Sequence, residues 1–276
     1  MIVSAPRGTG TDNPFRPGRS FAAYSLLPDT RAADAILDYG CGSGDFIAGV
    51  ATRREGALFA CDASQEAVSN CQARLAPRVE CFQVQTGPQA SLPFPNHFFQ
   101  AITLCDVLEH VGRPNEQALL SELVRVLRPG GCLIITVPHR GAFAWADPEN
   151  VKFRRPSLHR ALYTRLVGWD AYVRRFQPDQ AGYGNFTAGA MEHVHYSVRE
   201  LESLCVASGL RLDRIIHYGF ALPVVQVLLG GLEILRDRLH LPVRRLVDAC
   251  WRIWYMDQGL RAGPLSYSVA VRARRP

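Results

Sequence analysis

Short apolar runs and amphipathic stretches alternate along the chain from residue 35 onward. Ala35 to Tyr39 is apolar except at Asp38, and Asp45 to Arg54 sets Phe46, Ile47 and Val50 on one helical face. Ala57 to Cys61 is a second apolar run, followed by a helical stretch from Ser64 to Leu75. Val79 to Val84 alternates as a half-buried strand does, and Phe98 to Cys105 is a fourth run. Glu116 to Leu127 carries Leu119, Leu120, Leu123 and Leu127 on one stripe. It stops at Arg128-Pro129-Gly130-Gly131, where a basic residue and then breakers end a helix. Cys132 to Val137 is apolar without a break, as a strand covered on both faces must be. Strands alternating with helices predict an α/β fold with a mostly parallel sheet. Later in the chain, Ser197 and Glu200 form a capping box for a helix that Gly209 ends, and Leu210 to His217 reads as a sixth strand.

The first strand runs into Asp38-Tyr39-Gly40-Cys41-Gly42-Ser43-Gly44-Asp45. Glycines at 40, 42 and 44 allow positive φ and keep side chains out of the way, so a ligand can lie against the backbone. In an open α/β sheet this loop is where nucleotide-like ligands bind. A dinucleotide site would need a third glycine where Asp45 stands, and a carboxylate there repels a pyrophosphate. Asp38 instead suits a ligand bearing an ammonium or sulfonium group. Asp62 ends the second strand, placed to accept the two hydroxyls of a ribose. Its alternative is a helix N-cap, a role Ser64 fills equally well.

Further landmarks follow in order: Leu92-Pro93-Phe94, Asp106-Val107-Leu108-Glu109-His110 after the fourth strand, and Leu127-Arg128-Pro129-Gly130-Gly131. With the glycine loop and Asp62, they make residues 21 to 138 resemble the class I S-adenosylmethionine-dependent methyltransferases, of the type 11 or type 23-like kind. The resemblance implies a Rossmann-like, doubly wound, seven-stranded mostly parallel sheet with helices on both faces. It implies S-adenosyl-L-methionine as cofactor, with Asp38, Gly40, Gly42, Gly44, Asp62 and Asp106 around it. It also implies an antiparallel last strand, Leu265 to Arg272, inserted at the sheet edge. Two positions depart from the pattern. Pro88 replaces the acid expected to meet the adenine amino group, leaving Gln89 or a backbone carbonyl for that contact, and Gln100 stands where an Asp is usual. These departures keep open a catalytically silent binding or partner subunit. Glu109 and His110 either cap and pack the following helix or act directly.

Methyl transfer of this kind is an in-line displacement, and a hydroxyl acceptor gains from a base within hydrogen-bond reach. The base candidates, in rising order, are His139, His193 and His195, with His110 behind them. His193-Val194-His195-Tyr196-Ser197 resembles the segment ahead of a late helix in methyltransferases acting on glycan, glycolipid or lipid-linked metabolites. The expected acceptor is therefore a small molecule, a glycan or a lipid-linked compound, methylated at oxygen.

Composition then bounds the rest. The 276 residues suit one domain over 21–276, with a flexible leader over 1–20 and insertions at 139–196 and 219–263. Phe21 to Leu27 is expected as a short helix over the cofactor mouth. Eight scattered cysteines show no metal spacing, so they read as buried small hydrophobes in a reducing, cytoplasmic setting. No run of eighteen apolar residues predicts a membrane span. The net charge of +6 is uneven: residues 151–175 hold Lys152 and six arginines against Asp170. That cluster favours an anionic acceptor, a phosphate or a membrane surface, or else is a solvated helix face. Leu158, Leu162, Leu166, Trp169, Val173 and Phe176 are expected as a core stripe over the sheet. Leu222 to Leu232 is uncharged and precedes Arg236, Arg238, Arg244 and Arg245. Residues 219–245 can lie in a membrane interface, form a dimer face or close over substrate. No RNA-binding module appears, and no Asn-Pro-Pro-Tyr run follows the fourth strand, so a nucleic-acid substrate is not expected.

Overall fold

The computed structural model describes residues 13–85, 87, 91–147, 156–166, 168–170, 172, 194–239 and 244–276. Helix α1 is Arg19–Leu26, and strand β1, Ala35–Tyr39, leads through the glycine loop into α2, Asp45–Ala51. Then come β2 (Ala57–Asp62), α3 (Gln65–Leu75), β3 (Val79–Gln83), β4 (Phe99–Cys105), α4 (Leu108–Val111), α5 (Arg113–Val126) and β5 (Leu127–Pro138). After a 3-10 turn at Ala144–Ala146 come α6 (Pro156–Leu166), α7 (Val198–Ala207), β6 (Arg211–Tyr218), α8 (Leu222–Leu239), α9 (Arg244–Gln258) and β7 (Ser268–Arg274).

The sheet has seven strands in the order β3-β2-β1-β4-β5-β7-β6. The first five run parallel, and β7 runs antiparallel to both of its neighbours. The last strand is thus antiparallel as expected but lies inside the sheet, with β6 at the edge. Pairing on both sides explains why Val269 to Val271 are fully buried. The alternation of side chains sends neighbours to opposite faces. Leu37, Ile102, Leu104, Leu133 and Ile135 meet α5 and α7 through Leu120, Leu123 and Leu201. Ile36, Leu58, Ala60, Ala101 and Ile134 meet α1, α2 and α3 through Leu26, Ile47 and Cys71. Asp38 lies two residues on from Ile36, so it points to the α1–α2 side at the carboxyl end of β1.

The chain is anchored earlier than the expected leader. Phe15 stacks on Phe46 with centroids 5.4 Å apart and an interplanar angle of 12°. Gly49 makes room for it, since a Cβ there would fall 2.2 Å from Phe15 Cζ. The expected core stripe over 158–176 is corrected where it is described, and Val173 and Phe176 lie outside the described residues. Leu158, Leu162 and Trp169 are about half exposed, at 49%, 50% and 55%. Helical periodicity marks a face that wants cover but does not say that the sheet supplies it. The capping box at Ser197 forms as expected: its hydroxyl accepts from Glu200 N at 3.3 Å, and Glu200 Oε2 accepts from Ser197 N at 2.8 Å.

Helices α8 and α9 pack on each other. Val225 and Leu229 of α8 pack on Val247, Cys250 and Trp254 of α9. Asp257 near the end of α9 accepts the N–H groups of Phe220 and Ala221 at 3.0 Å, which satisfies donors at the start of α8. One buried ion pair fixes the sheet's far side. Arg272 of β7 donates to both oxygens of Asp213 at 2.8 and 2.7 Å. Asp213→Ala would strand the buried Arg272 guanidinium, and the expected loss is about 3 kcal/mol in denaturant unfolding. A loss under about 1 kcal/mol would show that Arg272 finds solvent instead.

Candidate functional site

The site forms at the carboxyl ends of β1, β2 and β4. Gly40, Gly42 and Gly44 have φ of +73°, +53° and +81°. A Cβ at Gly40 would sit 2.3 Å from Val107 Cγ2, and one at Gly44 2.6 Å from Cys71 Sγ, so the loop closes only with glycine at these two positions. The N–H groups of Gly40 and Cys41 donate to the Cys61 carbonyl at 2.8 and 2.9 Å, fastening the loop to β2.

Asp62 is buried, and its carboxylate ties two elements together. Oδ2 accepts from Gly42 N and Oδ1 from Ser64 N, both at 2.9 Å. The N-cap of α3 is Ser64, whose hydroxyl accepts from Ala67 N at 3.3 Å. Asp62 therefore does not act as the cap. Each of its oxygens has one of its two lone pairs engaged and one to offer a ligand.

Asp38 is 1% exposed and accepts from Thr103 Oγ1 at 2.7 Å. Burial pushes its carboxyl up to about 7, against the lowering pull of the Thr103 bond and Arg19. Asp106 sits at φ +53°, a conformation Asp tolerates better than most residues. Its Oδ1 accepts from Thr136 Oγ1 at 2.7 Å, and its Oδ2 pairs with Arg19 at 3.2 Å. Arg19, at the start of α1, was not legible as a site residue. It is 87 positions from Asp106 and carries no motif.

These groups line one cavity of about 990 Å³. Its near end holds Asp38, the glycine loop and Asp62. Beyond Asp106 the lining continues through Glu109, Asp147, Tyr218 and Tyr267 to Leu222 and Gln226 of α8 and Trp254 and Gln258 of α9. Among the described residues the lining carries seven acids (Asp38, Asp45, Asp62, Asp106, Glu109, Glu122 and Asp147) and one arginine, Arg19.

The expected histidine bases are placed differently. His139 is buried with Nδ1 3.0 Å from the Ser266 carbonyl, so Nδ1 carries the proton and donates it. Burial lowers its pKa, and its ring packs 5.2 Å from His217, which burial holds down to about 4. His195 is buried with Nε2 2.9 Å from Asp147 Oδ2. Neither His139 nor His195 lines the cavity, whereas Asp147 does. Burial and the neighbouring Asp147 raise the Tyr267 pKa. The physical reason is packing. His139 leaves β5 under the 266–268 segment, and His195 turns onto Asp147 with its ring against Tyr267. Asp147 and Tyr267 gave no signal in sequence because 120 residues separate them. His110 lines the cavity beside Glu109. His193, Pro88 and Gln89 lie outside the described residues.

Comparison with known proteins agrees with this geometry. The profile of a family described as a methyltransferase domain matches residues 36–131. A Mycolicibacterium smegmatis protein bearing the name probable S-adenosylmethionine-dependent methyltransferase is 33% identical over 153 residues, 54% of this chain and 56% of that protein. A demethylmenaquinone methyltransferase of Mycolicibacterium paratuberculosis is 32% identical over 164 residues, 56% of this chain and 66% of that protein. The chain thus spans 56% and 66% of the lengths of these two curated relatives. An S-adenosylmethionine-dependent methyltransferase structure from Mesorhizobium loti shares the fold, with a TM-score of 0.53 at 15% identity over 92% of this chain and 96% of that one. By its strand order, its glycine loop and these matches, the chain carries over residues 36–131 a methyltransferase domain of the class I S-adenosylmethionine-dependent type.

Proposed function

We propose that this chain transfers the methyl group of S-adenosylmethionine to an oxygen of a small-molecule or lipid-linked acceptor. The observation that carries the reading is the single cavity with a cofactor-type loop at one end and a buried carboxylate, Asp147, at the other. The loop fits the cofactor on its own terms. Its backbone is bare where a Cβ would clash, Asp62 has acceptor capacity left for ribose hydroxyls, and Asp38 offers negative charge to a cationic ligand. In this reading Gln89 is assigned to the adenine edge. When bound, the cofactor supplies a methyl group already activated on a sulfonium, so alignment and proton removal remain for the protein.

Asp147 is the residue we assign to receive the acceptor's proton, with His195 holding its carboxylate in place. Arg19 and Thr136 fix Asp106 at the junction between the two ends. The excess of acids in the lining favours a neutral or cationic reacting group over an anionic one.

Titration calorimetry of the full chain with S-adenosylmethionine tests the reading first. No binding at high micromolar protein would instead favour a silent subunit. Asp62→Ala is expected to weaken the cofactor by about tenfold or more, because it removes charge-assisted acceptors. Unchanged affinity would remove Asp62 from the ribose site.

A further inference from the structure

The two helices that close the cavity present an unusual outer surface. On α9, Leu246, Ile253 and Met256 are 57%, 52% and 74% exposed, and Leu260 just beyond is 51% exposed. With Ala249 they follow helical spacing, which makes a second apolar stripe beside the one already packed on α8. Trp251 and Tyr255 are also exposed, at 39% and 49%. Arg245, Arg252 and Arg261 stand exposed around them, and the Arg16 guanidinium lies 6.0 Å from the Tyr255 ring. Over residues 244–265 the exposed acid is Asp248, since Asp257 is buried at the start of α8.

We propose that α9 docks on an anionic bilayer surface and that the acceptor reaches the cavity from that bilayer. The arginine fringe decides between occupants. A second copy on this face would bring arginines against arginines in a two-fold contact, whereas anionic head groups complement them. Exposed Trp and Tyr suit the depth of the head groups, where one edge of the ring is apolar and the other wet. The helix lies in the interface rather than across it, because its 15 residues are too few to span, and no helix among the described residues is long and apolar enough to cross a membrane. The delivery half rests on the methyltransferase reading. Trp254 and Gln258 on the inner side of α9 line the cavity, so the helix that meets the bilayer also walls the acceptor's end of the site.

Co-sedimentation of the full chain with vesicles tests the docking. It is expected to pellet with phosphatidylcholine vesicles containing phosphatidylglycerol, to stay in solution with phosphatidylcholine alone, and to release as salt rises. Joint replacement Leu246→Glu, Ile253→Glu and Met256→Glu is expected to abolish pelleting while S-adenosylmethionine affinity holds, which also reports that the variant folds. Arg252→Glu is expected to weaken vesicle binding about fivefold or more. No pelleting of the parent chain, equal pelleting of the triple variant, or a dimer in sedimentation velocity that the triple variant dissolves would overturn the docking. Labelled methyl from the cofactor is expected in the organic phase of a cell extract, and label confined to the aqueous phase would overturn delivery from the bilayer. Failure to bind S-adenosylmethionine would sink the methyltransferase reading but leave the vesicle result standing.

Discussion

Asp38→Asn is expected to make the protein more stable above neutral pH and to cost it most of its cofactor affinity. The carboxyl is 1% exposed and held at about 7 by burial, against an ordinary value of 3.8. In the folded chain it therefore keeps its proton between about pH 4 and 7, where the unfolded chain has lost it. Stability accordingly declines as pH rises through that window and levels off above it. At pH 8 the ionised, buried carboxylate opposes folding by up to about 4 kcal/mol. Asparagine keeps the acceptor that Thr103 Oγ1 meets at 2.7 Å but has no charge to bury. Thermal unfolding at pH 8 is expected to show a higher midpoint for the variant, and the gap is expected to close near pH 4. A cationic ligand needs the charge that asparagine lacks, so S-adenosylmethionine is expected to bind roughly 10- to 100-fold more weakly. In the parent chain the affinity is expected to fall about tenfold per pH unit below 7, with proton release on binding. A variant that binds as well as the parent would show that Asp38 serves only the loop's structure.

Asp147→Asn is expected to leave cofactor affinity within about twofold and to slow methyl transfer by about 10²- to 10⁴-fold, the usual contribution of a positioned base. His195 was the leading candidate by sequence, yet it lies behind Asp147, and the carboxylate is the member of that pair that meets the cavity. His195→Gln keeps a donor toward Asp147 Oδ2 and is expected to lose far less rate than Asp147→Asn. His195→Ala is expected to shift the pH profile of the rate, because Asp147 then loses the donor that orients it. Single-turnover transfer of labelled methyl across a pH series separates these effects from binding. If His195→Ala were as slow as Asp147→Asn with an unshifted profile, the histidine would have to reach the acceptor itself, contrary to the geometry.

The glycine-loop end of the site was legible because its parts are short segments with local rules. A turn that must reach positive φ shows itself as glycine, and a strand end that must offer an acceptor shows itself as Asp. Asp38, Gly40, Gly42, Gly44, Asp62 and Asp106 all line or build the same cavity, and each sits next to a strand whose apolar run marked its position. The other end of the cavity was not legible. Asp147, Tyr218, Gln226, Trp254 and Tyr267 come from segments far apart in the chain, and none belongs to a motif. Their meeting depends on where α8 and α9 pack and on β7 inserting between β5 and β6.

The same division holds for the fold. Apolar periodicity and breakers determined five parallel strands and the helices between them, because burial on two faces leaves a trace in every strand. Periodicity could not decide what covers an amphipathic face. It made the α6 stripe look like core, although Leu158 and Leu162 are exposed, and it left α9's outer stripe unread. Nor could it decide which histidine meets a ligand, since His139, His195 and His110 carry the same chemistry in sequence. By itself the sequence determined the architecture and the glycine-loop half of the site, through residues whose conformations are set within a few positions of each other. The tertiary structure decided the other half, because long-range packing buried His195 behind Asp147 and put Tyr267 beside both.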